Sequence, residues 1–150
     1  MHQLKNSHLT SFRMLAVVAS TFFWASHSVS QTITTPANER LQAGIKLIQT
    51  SHYLEAAEEL KRLTKENRTD ALAWYYLGVA YVQLEDLKKA TAAFETSVNI
   101  RPHWVSAHTG LANALLRRGK VVQAWKEAKE AFTIDPDSVE ANYTLGVIEL

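Results

Sequence analysis

Cysteine is absent from the 150 residues, and that one absence removes disulfides, thiolate metal sites, a catalytic thiol and a lipidated N-terminal cysteine together. Proline occurs three times and glycine five, too few for a collagen-like or a Pro/Gly-rich disordered chain. An excess of either charge is missing too. Sixteen Lys and Arg stand against 15 Asp and Glu, and after residue 30 the balance is 14 to 15, a net charge of −1. Nucleic-acid binding is dominated by basic groups set against phosphates, so no nucleic-acid partner is expected. No apolar run reaches the roughly twenty residues that a membrane helix requires. Nor is there a Gly-rich phosphate loop, a nucleophile elbow or a metalloprotease motif. His103 and His108 lie five apart, whereas a metal-binding pair on one helix needs three or four. No cofactor, no metal and no catalytic residue is therefore expected.

What is present begins with the leader. Lys5 and Arg13 precede an apolar run from Met14 to Ala25, then Ser26 to Ser30 and Gln31. A basic start, a dozen apolar residues and small side chains at Ser28 and Ser30 make the pattern of a secretory signal cut before Gln31. Residues 1–30 are read as that signal and 31–36 as a linker. The chain is then exported, periplasmic in a Gram-negative bacterium and otherwise secreted, with no stable span once the signal is removed. The alternative is a membrane anchor made by the uncleaved signal.

From Ala37 onward the sequence repeats with a period of 34 residues. Gly44, Gly78, Ala112 and Gly146 keep that interval, as do Ala56, Ala90 and Ala124, and Pro102 and Pro136. Leu77, Leu111 and Leu145 precede the small residue, Leu47, Tyr81 and Leu115 follow it by three, and Leu60, Phe94 and Ala128 follow the second alanine by four. Apolar residues three and four apart on each side of a break make two amphipathic helices per period. The breaks fall at Ser51-His52, Glu85-Asp86 and Gly119-Lys120. Small residues in both helices allow the backbones to approach closely. Pro102 and Pro136 lack the amide hydrogen that a helix interior needs and so separate one pair from the next.

The run WYYLGVAY from Trp74 to Tyr81, with Ala90, Phe94 and Pro102 after it, resembles one full tetratricopeptide repeat, a family with a period of 34. The resemblance covers about three-quarters of the chain. It implies an all-α fold, a right-handed α-solenoid of helix-turn-helix repeats, with units at 37–70, 71–104 and 105–138 and a final single helix at 139–150. Departures occur at Arg40, Arg68, His108 and Ala128, and the last two predict looser packing in the third unit.

In that family the first helices of the repeats line a concave groove. The resemblance implies a peptide-binding groove of Leu41, Ile45, Tyr75, Val79, Val82, Gln83, Thr109, Asn113, Leu116 and Arg117, extended by Ile48, Tyr143 and Val147. Some members clamp a chaperone's C-terminal carboxylate with Lys, Asn and Arg. The equivalent places here hold Leu41 and Ile45, Tyr75 and Val79, Thr109 and Asn113, of which only the asparagine fits. The implied function is a non-enzymatic scaffold for a protein or peptide partner. The rival is an accessory segment of a larger enzyme or secretion complex whose active part lies beyond Leu150. Val147, Ile148 and Leu150 allow self-association through the C-terminal helix.

Overall fold

The computed structural model describes residues 36–149, within one compact unit, Thr34–Leu150. The leader read at residues 1–30 and its cleavage point lie outside the described residues. Seven helices follow one another: α1 Pro36–Gln49, α2 Tyr53–Glu66, α3 Ala71–Gln83, α4 Leu87–Ile100, α5 Val105–Arg117, α6 Val121–Ile134 and α7 Val139–Glu149. They form three antiparallel hairpins and a last single helix; each helix packs on its neighbours in the chain, and the first helices α1, α3, α5 and α7 also pack on one another in succession. No strand occurs among the described residues.

Each hairpin turns the same way, because the same backbone device closes the first helix. Ser51, Glu85 and Gly119, spaced at the period, have φ of 62°, 59° and 74°. In each turn that residue's amide bonds the carbonyl three back, and the next amide reaches five back, as from His52 to Leu47, Asp86 to Tyr81 and Lys120 to Leu115. This left-handed exit satisfies carbonyls that a helix end leaves bare. Three helices, α3, α4 and α7, start on side-chain oxygens: Asp70 accepts from the amides of Leu72 and Ala73, Asp86 from Lys89 and Ser138 from Ala141.

Packing explains why the period carries small residues. A Cβ on Gly44 would lie 2.8 Å from the Leu60 side chain, and one on Gly78 2.8 Å from the Phe94 ring. Gly110 meets the other side of the same ring at 2.8 Å, so Phe94 is wedged between the first helices of two successive hairpins. Leu41, Leu60, Leu63 and Leu77 form the core of the first two hairpins. Phe94, Leu111, Leu115 and Ala124 form that of the second and third.

The third hairpin does not loosen where His108 and Ala128 depart from the pattern. Ala112 and Ala128 are both fully buried, so two small residues meet where other hairpins pair glycine with a large one. His108 is 4% exposed. Its Nδ1 lies 2.9 Å from a carboxylate oxygen of Glu127 on α6, and its Nε2 2.9 Å from the carbonyl of Pro102 in the preceding turn. The imidazole joins three elements that an aromatic ring would only fill.

On α7 the outward face is open. Nothing lies within 4 Å of a Cβ placed on Gly146. Val139, Tyr143 and Val147 are exposed, while Ile148 packs towards the second core.

Candidate functional site

Tyr75, Val79, Val82 and Leu116 are half-buried and rest on the core beneath Phe94 and Leu115. Their lower atoms are fixed by packing and their upper edges meet solvent. Tyr75 is the best anchored. Its ring centroid is 4.8 Å from Trp104, 5.6 Å from Phe94 and 5.3 Å from Tyr76, within the range of favourable aromatic pairs. Burial is the main reason its phenol is held above the ordinary tyrosine value, and the charge of Glu140 adds to it.

Towards the first hairpin the proposed strip continues with Ile45 and Ile48, half-buried, while Leu41 sinks into the core. Gln83 and Asn113 are exposed. Thr109 is fully buried; its hydroxyl donates to Glu140 at 2.6 Å, with the Ser106 carbonyl 3.1 Å away as the alternative acceptor. It lies under the surface and ties α5 to α7. Arg117 is already engaged: its Nη2 donates to the Glu85 carboxylate at 2.5 Å across the preceding turn. Asn113 and Arg117 therefore do not act as an equivalent pair.

Sequence spacing did not single out Glu140. Glu140 occupies the register position of Ser106, 34 residues earlier, and its carboxylate accepts from that hydroxyl at 3.2 Å. Residues one period apart stand side by side on successive first helices, which is the signal that finds such a pair. Trp104 ends the turn before α5 and stacks on Tyr75 with Arg101 5.2 Å above it. Trp125, by contrast, is 39% exposed on α6 under Lys129.

A second concavity of about 400 Å³ lies between α2 and α4, with Leu54, Lys61, Tyr81 and Lys89 among its walls. Lys89 there is paired with Asp86 at 2.5 Å and lies 5.4 Å from the Tyr81 ring centroid. Among the described residues no group of three His, Asp or Glu is placed to hold a metal ion, and no helix is long and apolar enough to cross a membrane.

The tetratricopeptide-repeat family model matches residues 41–103. The second tetratricopeptide domain of human RPAP3, solved with the HSP70 peptide SGPTIEEVD, superposes with a TM-score of 0.73 at 18% identity, covering 76% of this chain and 95% of that one. The fold is a tetratricopeptide-repeat solenoid. The Yersinia enterocolitica type III secretion chaperone SycD, solved with a peptide of the translocator YopD, has a TM-score of 0.68 at 14% identity, covering 74% of this chain and 90% of that one. In sequence, superkiller protein 3 of Schizosaccharomyces pombe is 31% identical over 93 residues, or 61% of this chain. Both the family model and these relatives are similar to this chain over its repeats. The chain spans 6% of the length of that yeast relative and 5% of the human one.

Proposed function

We propose that this chain is a non-enzymatic protein-interaction scaffold that holds a peptide or protein segment along the first helices of its repeats. One observation supports the reading: Tyr75, Val79, Val82 and Leu116 are apolar side chains of the first helices that pack on the core and stay half-exposed. Rigid side chains lose little entropy when a partner covers them, so more of the roughly 25 cal/mol per Å² gained on burial survives as affinity.

The test is selection of binders from a displayed random dodecapeptide library. Tyr75→Ala should weaken the selected peptides by about 1–3 kcal/mol, as loss of a central aromatic anchor does. Tyr143→Ala, on an exposed ring, provides the same test without disturbing the Trp104 stack. Lys88→Ala, on the exposed face of α4, should leave affinity unchanged. Peptides indifferent to Tyr75 and Tyr143 but sensitive to Trp125 or Lys88 would move the interface to the second helices and sink the groove reading.

Export belongs to the same proposal. It is supported by Lys5, Arg13, the apolar run Met14–Ala25 and the small residues Ser28 and Ser30. Exported material is expected to begin at or near Gln31 by intact mass, and a product retaining residues 1–30 would overturn cleavage.

A further inference from the structure

On α3, on α5 and in the first turn of α7, the charge left without an opposite partner is negative. Helix α3 contributes no charged side chain. On α5, His108 is buried against Glu127, and Arg117 is neutralised by Glu85. Helix α7 contributes Glu140 in its first turn. Its two carboxylate oxygens accept from the hydroxyls of Thr109 and Ser106 at 2.6 and 3.2 Å. Hydroxyl donors orient a carboxylate and leave its negative charge in place. No cationic side chain among the described residues pairs with it.

One aromatic ring shares the helix surface with this carboxylate. Tyr143 is three residues further along the same helix, hence on the same face, and is 71% exposed. A fixed carboxylate beside a tyrosine ring attracts a cation twice, by ion pairing and by the negative face of the ring.

We propose that Glu140 and Tyr143 form a subsite for a lysine or arginine side chain of the bound peptide, with Tyr75 and the apolar strip of α3 and α5 taking its hydrophobic residues. This inference rests on the groove reading and gives it a sign. The groove selects basic-apolar segments and rejects acidic ones such as SGPTIEEVD, whose carboxylates would face Glu140 with no cation between them.

The dodecapeptide library decides the matter. Selected sequences should carry Lys or Arg at a fixed distance from an apolar residue, and SGPTIEEVD should not compete with them. Glu140→Gln keeps an oxygen to accept from Thr109, so the melting curve should hold while affinity falls about tenfold, as loss of a charge-assisted contact does. Norleucine in place of the peptide's basic residue should cost the same, and the two changes together little more than either alone. Selected peptides that are neutral or acidic at that position, or an affinity unchanged by Glu140→Gln while Tyr143→Ala and Tyr75→Ala abolish binding, would overturn the basic subsite and leave the groove standing. If no peptide is selected, or those selected ignore Tyr75 and Tyr143 alike, the groove reading fails and the subsite with it.

Discussion

Phe94→Ala is expected to destabilise the folded chain by about 3–5 kcal/mol, the range for removing a fully buried aromatic ring from a close-packed site. Phe94 is 2% exposed, and its ring fills the space that both Gly78 and Gly110 leave open, each at 2.8 Å from where a Cβ would stand. Removing it cuts the contact within the second hairpin and the contact between that hairpin and the third. Relaxation cannot close the gap cheaply, because two backbones and the Tyr75 ring would have to move inward together. Against a total stability of about 5–15 kcal/mol for a domain of this kind, the loss is a large fraction. Urea unfolding followed by circular dichroism measures it, with Gly146→Ala as the contrasting control. Nothing lies near a Cβ at Gly146, so that change should gain up to about 1 kcal/mol from helix propensity alone. A Phe94→Ala loss below about 1 kcal/mol would mean that the ring is not the wedge between the repeats.

Stability should also fall as pH rises through the titration of His108, and Glu127→Gln should flatten that dependence. Both partners of the ring, the Glu127 carboxylate and the Pro102 carbonyl, are acceptors. A neutral imidazole has one N–H and satisfies one of them, whereas the imidazolium satisfies both. The hydrogen bond that the ring donates to Glu127 is the main cause raising the pKa of His108; burial opposes it, and the Pro102 carbonyl and the charges of Glu127 and Glu130 support it. A group whose pKa is higher folded than unfolded contributes in full below its unfolded value, about 6.5. That contribution disappears as pH rises through the folded value. The slope therefore has the opposite sign to that of a buried neutral histidine, which destabilises as pH falls. On the acid side Glu127→Gln should cost about 1–3 kcal/mol, the range for a hydrogen bond to a charged group. Urea midpoints measured across neutral pH for both proteins check the sign. A wild-type midpoint that climbs with pH would show that the ring is neutral in the fold.

Much of the architecture was legible because the determinants of a repeat are local and recur. Gly78 opposite Phe94 is a statement about size, and the period of 34 repeats it as Gly44 opposite Leu60. The breaks at Ser51, Glu85 and Gly119 coincide with the three left-handed turns. What could not be read depends on which way a side chain leans between repeats. Arg117 looks like an open groove residue until Glu85, 32 residues earlier, takes its guanidinium. Thr109 shares the register of Tyr75, yet its small side chain lies wholly beneath the surface. His108 looks like a lost aromatic, and only the positions of Glu127 and Pro102 show that it makes a polar junction. Glu140 was hidden because its partners are Ser106 and Thr109, one period back, where apolar spacing carries no information.

The turn at Glu85 bears on how the array comes apart. A left-handed φ costs a residue with a side chain about 1 kcal/mol or more relative to glycine, and Gly119 shows that this position accepts glycine. A glycine at 85 would ease the backbone and lose the carboxylate that holds Arg117. In a linear stack, unfolding is governed by two quantities: the stability of each unit and the coupling between adjacent units. Glu85 weakens the first and strengthens the second, and so shifts the chain away from fraying hairpin by hairpin and towards melting as one cooperative block.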